Sequence, residues 1–275
     1  MAKRILVAVI FLPLLLAVDL LLPPFFWALI VAFVAVMAAY ELLRATGEGK
    51  VTLPMRLAAL ISAGLIPLGN WAGHGVAAPC VCIFLVMFVS FLCAIRAYDE
   101  NGGTIGFYHV MLTMFAGGVL PLALSALVQL RGMEYGRYLA LLAMLLNFAV
   151  DGVAYFGGMF LGKHRGVTKV SPKKSAEGYF FGFVGGVLFA VLFGIVVGAV
   201  EGCEVNLLPL GLCGLLGALV TELGDLAFSF IKRQYGVKDF GSVLPGHGGI
   251  MDRFDSMILC GPVVLFIVYY LPVFP

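Results

Sequence analysis

Long apolar runs, separated by short polar segments, account for most of this chain. A helix needs about 20 apolar residues to cross the hydrocarbon core of a bilayer, and long runs of this kind recur from one end of the chain to the other. We therefore predict an all-α, polytopic integral membrane protein with about nine transmembrane helices. The nine segments are Ile5–Leu22, Phe25–Leu43, Leu57–Trp71, Val76–Ile95, Ile105–Leu130, Tyr138–Leu161, Tyr179–Val200, Leu207–Ile231 and Ser256–Leu271.

The composition supports the same interpretation. Hydrophobic residues make up 62% of the 275 positions and charged residues only 12%, whereas a soluble domain carries roughly 25% charged residues. Lys3 and Arg4 before the first run resemble the start of a signal peptide. A second run begins almost at once after Pro24, so we expect an uncleaved first helix. The six cysteines fall mostly in or beside apolar runs, and we interpret them as packing residues rather than a zinc site.

The lysines and arginines predict the orientation of the chain. If nine helices alternate from a cytoplasmic amino terminus, 15 of the 17 basic residues face the cytoplasm, and only Arg131 and Arg137 face outward. Such an excess of basic residues is typical of cytoplasmic loops. The two long polar loops, 162–178 and 232–255, then share the cytoplasmic face. We predict a multi-pass protein of the cell (inner) membrane, with a cytoplasmic polar site between its carboxy-terminal helices.

Polar residues concentrate along one face of the eighth apolar run. Glu222, Asp225, Ser229 and the pair Lys232-Arg233 follow one another at steps of three and four residues, so they share one helix face. An acidic side chain at membrane depth needs a cation or another partner and usually marks a functional site. Asp225 is therefore a stronger candidate for function than the basic residues, which also fit ordinary anchoring to anionic lipid headgroups.

Both polar loops combine glycine with positive charge. Glycines let backbone N–H groups approach phosphate oxygens closely, and a helix amino terminus also favours an anion. Neither feature is specific alone, but together they predict a polyphosphate site. For His247, which is flanked by glycines, a phosphate contact and a structural hydrogen bond both stay open. The candidate substrate-binding residues are Lys173, Lys174, Lys232, Arg233, Lys238, Gly246, Gly248, Gly249 and Arg253.

Carboxylates from different helices suggest a metal ion at the same place. Asp252 and Asp255 open the last helix at a spacing of three residues, and Asp225 lies on the helix before it. Carboxylates, completed by water and substrate phosphates, are what Mg²⁺ prefers. Asp151, near the end of the sixth run, is either a further metal ligand or a partner for a loop cation. Asp19, alone in the first run, is interpreted as a helix-contact or interfacial residue.

Two segments of the chain resemble the phosphatidate cytidylyltransferases, also called CDP-diacylglycerol synthases. The resemblance is dense in the carboxy-terminal half, whereas the first 100 residues match only in being apolar. In the last polar loop the matching residues are Ser229, Lys232-Arg233, Lys238-Asp239, Leu244-Pro245, His247-Gly248-Gly249, Asp252-Arg253 and Asp255. In the earlier loop they are Asp151, Ala154-Tyr155, Gly162-Lys163, Ser171-Pro172-Lys173 and Glu177-Gly178.

This resemblance implies an enzyme of phospholipid biosynthesis, a nucleotidyltransferase that moves CMP from CTP to phosphatidic acid and releases pyrophosphate. It also implies Mg²⁺, with K⁺ as a second cation, and a homodimer in the lipid bilayer; no nucleic-acid partner is expected. We assign amino-terminal helices to 1–104 and the catalytic region to 105–275. The predicted catalytic residues are Asp225, Asp252, Ser229 and His247, and the predicted metal ligands are Asp225, Asp252, Asp151 and Asp255.

Two departures from the family pattern, and three rival functions, accompany this assignment. Gly152 stands where a small hydroxylated residue is expected, and Phe228 where an acidic one is usual. Asp151-Gly152 imitates the opening of the CDP-alcohol phosphotransferase motif, but Tyr155 replaces the arginine of that motif and its further aspartates are missing. A CTP-dependent polyprenol or phytol kinase is a closer chemical relative. A transporter fits less well, because the polar residues cluster on one face rather than at the midplane.

Overall fold

The computed structural model describes residues 15–243 and 248–275, which form helices joined by short turns. These residues contain no β-strand, and an isolated antiparallel bridge joins Arg165 and Ser175. The all-α prediction is therefore confirmed. The helices in chain order are α1 (residues 15–21), α2 (Pro24–Thr46), α3 (Leu53–Trp71), α4 (Ala77–Asn101), α5 (Phe107–Arg131), α6 (Gly136–Leu161), α7 (Ala176–Glu201), α8 (Leu207–Gln234), α9 (Met251–Phe254) and α10 (Met257–Tyr270).

Seven of these helices, α2 to α8, are long and apolar enough to cross a membrane. The chain is thus a multi-pass membrane protein. The first predicted segment, Ile5–Leu22, lies mostly outside the described residues. The last one corresponds to α10, which has 14 residues. A helix needs roughly 20 residues to span the hydrocarbon core. A total of nine spans therefore stays a prediction.

The chain divides into two compact units. The first contains Met1–Gly132 together with Tyr235–Phe254, and the second contains Met133–Gln234 together with Asp255–Pro275. Helices α1 to α5 and the short α9 belong to the first unit, and α6, α7, α8 and α10 belong to the second. The predicted division after residue 104 was a functional assignment, and it stays a prediction.

In the first unit, a π-helical turn at Phe115–Val119 brings α5 close to α3. A π turn shifts the backbone hydrogen-bond pattern and leaves a carbonyl for another donor. The hydroxyl of Ser62 donates to the carbonyl of Gly117 over 2.5 Å. A Cβ atom on Gly117 would lie 2.6 Å from the Cα of Ala59. Glycine is therefore required where these two helices cross.

A buried ion pair fastens α1 to the end of α5. The Nε of Arg131 lies 2.9 Å from an oxygen of Asp19, whose side chain is fully buried. The same guanidinium donates through Nη2 to the backbone carbonyl of Asp19 over 2.8 Å. The prediction that Asp19 makes a helix contact is confirmed, and each member of the pair compensates a charge that would be costly to bury alone.

In the second unit, α7 and α8 pack backbone against backbone. A Cβ atom on Gly214 would lie 2.5 Å from the Cα of Val187 and 2.6 Å from the carbonyl oxygen of Gly186. Small residues permit this close approach in lipid, where helix association depends on van der Waals packing. Gly224 similarly lets α8 approach the start of α10, since a Cβ there would lie 2.8 Å from the Cα of Ser256.

All six cysteines are unpaired. Cys82, Cys213 and Cys260 are buried, which agrees with their predicted role as small packing residues. Cys80 is exposed, and so it does not fill a core position.

Candidate active site

The loop between α6 and α7 is folded back on itself, and this fold positions Lys174. The N–H of Gly166 donates to the carbonyl of Lys174, and the N–H of Ala176 donates to the carbonyl of His164. The hydroxyl of Ser175 accepts from the N–H of Gly178 over 3.1 Å, which caps the first turn of α7. Lys174 therefore stands immediately before a capped helix start, on a loop whose two ends are tied together.

Lys174 forms the centre of an ion cluster in the second unit. Its ammonium lies 2.5 Å from Oε2 of Glu222 and 2.8 Å from Oδ2 of Asp225, both on α8. Glu222 is almost completely buried, whereas Asp225 and Lys174 each keep about a quarter to a third of their side chain accessible. Two acidic side chains from one helix thus share a single ammonium from the loop.

The charge state of Lys174 follows from these neighbours. Burial by itself lowers the pKa of an amine, but Asp225 and Glu222, through charge and hydrogen bonds, together raise the pKa of Lys174 above its ordinary value. The side chain therefore stays protonated at neutral pH. The ammonium also lies over the ring of Tyr179, 5.4 Å from its centre, which favours the cation.

A cavity of about 510 Å³ opens beside this cluster, within the second unit. Its volume is within the range of small-molecule sites. Asp151 of α6 is exposed to the cavity, and it interacts electrostatically with Lys174, Asp225 and Glu222. The polar residues of the wall are Asp151, Tyr155, Arg165, Lys173, Lys174, Ser175, Tyr179 and Glu222.

Glycines let α6 and the start of α7 pack closely together at the wall of this cavity. A Cβ atom on Gly178 would lie 3.0 Å from the carbonyl oxygen of Ala154. One on Gly158 would lie 2.9 Å from the hydroxyl of Ser175. The start of α7 can therefore lie directly against α6, and it holds the capped loop at the cavity.

A second ion pair lies further along α8. Lys232 and Asp255 approach to 3.7 Å, and both side chains are largely buried. Asp255 also accepts from the backbone N–H of Ser256 over 2.8 Å. Along the sequence, Ser229 lies between Asp225 and Lys232. Its side chain is half-buried, whereas that of Arg233 is exposed. The charged residues of α8 thus form two groups, which are the acidic pair Glu222 and Asp225 and the basic pair Lys232 and Arg233 in the last turn.

Asp252 belongs to the first unit, where it organises a glycine-rich loop. Its Oδ2 accepts the N–H of Phe240 over 2.9 Å and the N–H of Gly249 over 3.0 Å. Gly248 has a φ of +85°, a backbone region that favours glycine. Two backbone amides therefore fix the carboxylate of Asp252 within the loop.

Two further groups complete the set of predicted site residues. Lys173, Lys238 and Arg253 are exposed and could meet anions from solvent. Gly246 and His247 lie outside the described residues, so their predicted roles stay predictions.

Two acidic residues were not among the predicted site residues. Glu222 was placed on the helix face of Asp225 by its spacing, and at 2.5 Å its Oε2 lies closer to the Lys174 ammonium than Oδ2 of Asp225 does, at 2.8 Å. Glu41 of α2 was not singled out at all. It is buried and accepts the backbone N–H of Met251 over 2.8 Å. A single acid within an apolar run was the signal that could have revealed it.

The donors of the ion cluster fit a magnesium ion. Over the described stretches, no three His, Cys, Asp or Glu side chains converge closely enough to hold a metal by themselves. Mg²⁺ does not require such a set, because it usually takes one or two carboxylates and completes its shell with water and phosphate oxygens. Oε1 of Glu222 is buried and has no hydrogen-bond partner among the described residues. Such an oxygen suits a hard cation.

Comparison with known proteins identifies the family. The model of the cytidylyltransferase family matches residues 2–271. A phosphatidate cytidylyltransferase of Synechocystis is 31% identical over 89% of this chain and 88% of its own length. One from Pseudomonas aeruginosa is 36% identical, over 95% and 94%. One from Bacillus subtilis is 33% identical over 60% of each chain. These similarities confirm the resemblance seen in the two polar loops, and the chain belongs to the cytidylyltransferase family.

Proposed function

We propose that this protein transfers CMP from CTP to phosphatidic acid and thereby forms CDP-diacylglycerol and pyrophosphate. The relatives described as phosphatidate cytidylyltransferases support the proposal, because the similarity to two of them extends over most of both chains. The observation that carries it is the position of Lys174, which is held by Glu222 and Asp225 beside the cavity. Positive and negative groups thus stand where a phosphate substrate and a cation could meet.

The chemistry requires charge compensation more than acid–base catalysis. The second pKa of a phosphate monoester is near 6, so phosphatidate is largely dianionic at neutral pH and is already a nucleophile. One of its oxygens forms a bond to the α-phosphorus of CTP, while the bond from that phosphorus to the bridging oxygen of the β-phosphate breaks. The electron pair leaves with pyrophosphate. Two anions must therefore be brought together and aligned.

The chain's own cations perform that task in this proposal. Lys174 is held rigidly, so it offers a fixed positive charge at the cavity wall. Lys173 and Arg165 line the same cavity and can bind phosphate oxygens without a competing buried partner. Lys232, Arg233, Lys238 and Arg253 are assigned to the triphosphate or lipid phosphate by the family resemblance. Ser229 and His247 are assigned to orienting oxygens.

We also propose that the reaction depends on Mg²⁺. Asp225 would hold the ion, together with Asp151 and Glu222, and the ion would supply positive charge to neutralise the phosphates during transfer. The assignment of Asp252 and Asp255 as further ligands, and of K⁺ as a second cation, rests on the family resemblance and stays a prediction.

The proposed setting is the inner membrane, with nine spans and the site on the cytoplasmic side. The distribution of lysine and arginine supports this orientation, and CTP is a charged substrate that reaches the protein from the cytosol. A homodimer is proposed from the resemblance. The glycines of α7 do not add support, because Gly182, Gly186 and Gly194 pack against neighbours within the second unit.

Label transfer with the purified protein tests the proposal. The full chain in detergent is given phosphatidate and CTP labelled at either the α- or the γ-phosphate. The proposal expects α-label in a phosphatidate-dependent lipid product and release of γ-label as pyrophosphate. Transfer of γ-label to a lipid alcohol such as phytol would indicate a kinase instead. Absence of both transfers, with a monodisperse protein and added Mg²⁺, would contradict the proposal.

A further inference from the structure

Glu41 lies in the middle of a backbone cradle formed by the glycine-rich loop before α9. Its side chain is buried in α2, and Oε2 accepts the N–H of Met251. A Cβ atom on Gly241 or on Gly249 would collide with this carboxylate. Three points of the loop therefore close around one acid, and two of them are glycines at which a Cβ atom would displace the carboxylate.

The same loop holds Asp252. Gly249, which touches Glu41, donates its N–H to Oδ2 of Asp252. Met251, which donates to Glu41, immediately precedes Asp252 in the chain. Phe240, the neighbour of Gly241, donates the other N–H to that oxygen. The segments 240–241 and 249–251 therefore both contact Glu41 and hold Asp252 in place.

From this arrangement we infer that Glu41 is a positioning residue, which acts through the loop to hold Asp252 in its working orientation. The inference rests on the proposed function, in which Asp252 belongs to the site. Glu41 itself does not touch substrate. Partners that orient a functional carboxylate typically contribute about 10- to 100-fold to activity, even though they stand outside the site.

A purely structural role is the competing explanation, and it predicts a different set of effects. A buried acid in α2 could merely fill space, in which case its removal would loosen the first unit as a whole. A positioning role predicts local loosening of the loop. It also predicts that the hydrogen bond matters more than the charge. The backbone N–H groups of Met251 and Ile250 both interact with the Glu41 carboxylate, and the amide carbonyl of a glutamine can still accept the N–H of Met251.

The experiment compares E41A, E41Q and E41D in the purified full chain. Amide hydrogen exchange is measured for peptides covering residues 238–252 and for peptides from α3 and α5. T46A is the matched control, because Thr46 is buried on the same helix, its hydroxyl donates to the carbonyl of Leu42 on that helix, and its other side-chain neighbour, Tyr108, lies on α5 rather than in the glycine-rich loop. Steady-state kinetics with CTP and phosphatidate give kcat and KM for each variant.

We expect E41A to accelerate exchange in the loop by about tenfold, while α3 and α5 stay as in the wild type. Its kcat should fall about 10- to 100-fold, with the KM for CTP changed less than about threefold. E41Q should restore both the loop protection and most of kcat. E41D, which is shorter by one methylene, should resemble E41A. T46A should match the wild type.

Three results would overturn the inference. They are unchanged loop exchange in E41A, equal acceleration across the first unit in E41A and T46A, and an E41Q variant as impaired as E41A. If E41A does not fold, the comparison of E41Q with E41D decides. If the wild type shows no turnover, the proposed function fails, but the exchange data still decide whether Glu41 holds the loop.

Discussion

The ammonium of Lys174 lies 2.8 Å from Oδ2 of Asp225, although one residue stands on a loop and the other inside a membrane-spanning helix. Glu222 approaches the same ammonium from one turn earlier on that helix. The loop before α7 is therefore connected to α8 by charge. A change at any of these three residues should alter both stability and turnover.

Replacement of Lys174 by methionine should leave two carboxylates without their counter-charge. Removing one partner of a buried ion pair typically costs about 3–5 kcal/mol, and we expect about 2–3 kcal/mol here because part of the cluster is exposed. Turnover should fall more than about 100-fold. Thermal unfolding in detergent and CTP-dependent pyrophosphate release measure the two effects. Lys173→Met, on the exposed neighbour, should leave the unfolding temperature unchanged, and an equal shift in both variants would contradict the ion cluster.

The stabilisation by Lys174 should be insensitive to pH over the ordinary range. Its pKa is raised in the folded protein, so its contribution is fully present below the ordinary lysine pKa of 10.5 and is lost only as pH rises through the higher folded value. The difference in unfolding temperature between the wild type and K174M should therefore stay constant from about pH 6 to pH 9. A difference that shrinks steadily across this interval would show that Lys174 loses its proton there.

Asp252→Asn should abolish turnover while the protein still inserts and folds. The asparagine carbonyl can accept the N–H groups of Phe240 and Gly249 as the carboxylate does, so the loop is expected to keep its shape. Only the negative charge, which the proposed function needs, is removed. Pyrophosphate release is the assay, and an unchanged unfolding temperature is the control. A variant with most of the wild-type activity would exclude Asp252 from metal binding.

Gly214→Ala should destabilise the second unit, because the new methyl group would meet the backbone of α7. Its nearest neighbours would be backbone atoms of Val187 and Gly186, which cannot rotate away as a side chain can. Overpacking of this kind costs about 1–3 kcal/mol. Gly211→Ala is the matched control on the same helix, since a Cβ there meets nothing within 4 Å. It should stabilise α8 by about 0.5–1 kcal/mol. The reverse order of unfolding temperatures would contradict the packing.

Asp19→Asn should lower stability without altering kcat. Its buried carboxylate pairs with Arg131, and loss of that charge leaves the guanidinium partly buried without compensation, at a cost of about 3 kcal/mol. The exposed pair of Glu48 and Lys50 provides the control, because Glu48→Gln should have no measurable effect. A fall in kcat per folded molecule for Asp19→Asn would assign a catalytic role to Asp19.

The sequence predicted the helices and the face of α8 because both depend on local spacing. Apolar runs define spans, and steps of three and four residues place Glu222 beside Asp225. The partner of these acids was not predictable in the same way. Lys174 was one of several loop cations, and its selection depends on the close approach of α7 to α6 and α8, which small residues permit. Spacing along the chain carries no information about such an approach.

Glu41 shows the same limit more strongly. Its contact with Met251 joins residues that are 210 positions apart, and no motif connects them. The family resemblance was dense only in the carboxy-terminal half and gave no indication about a residue of α2. A buried acid in α2 was visible as a single letter in an apolar run, but its partner could be found only from the three-dimensional structure.

The distance along the chain between Glu41 and Met251 also has a consequence for biogenesis. During synthesis, α2 enters the membrane long before the loop that will cover its acid has left the ribosome. Until then, the insertion machinery must accept an ionisable group near the carboxy-terminal end of a membrane-spanning helix, before the loop that covers it has been made. Premature termination anywhere before residue 251 would leave that group without the N–H of Met251 that it accepts in the complete fold.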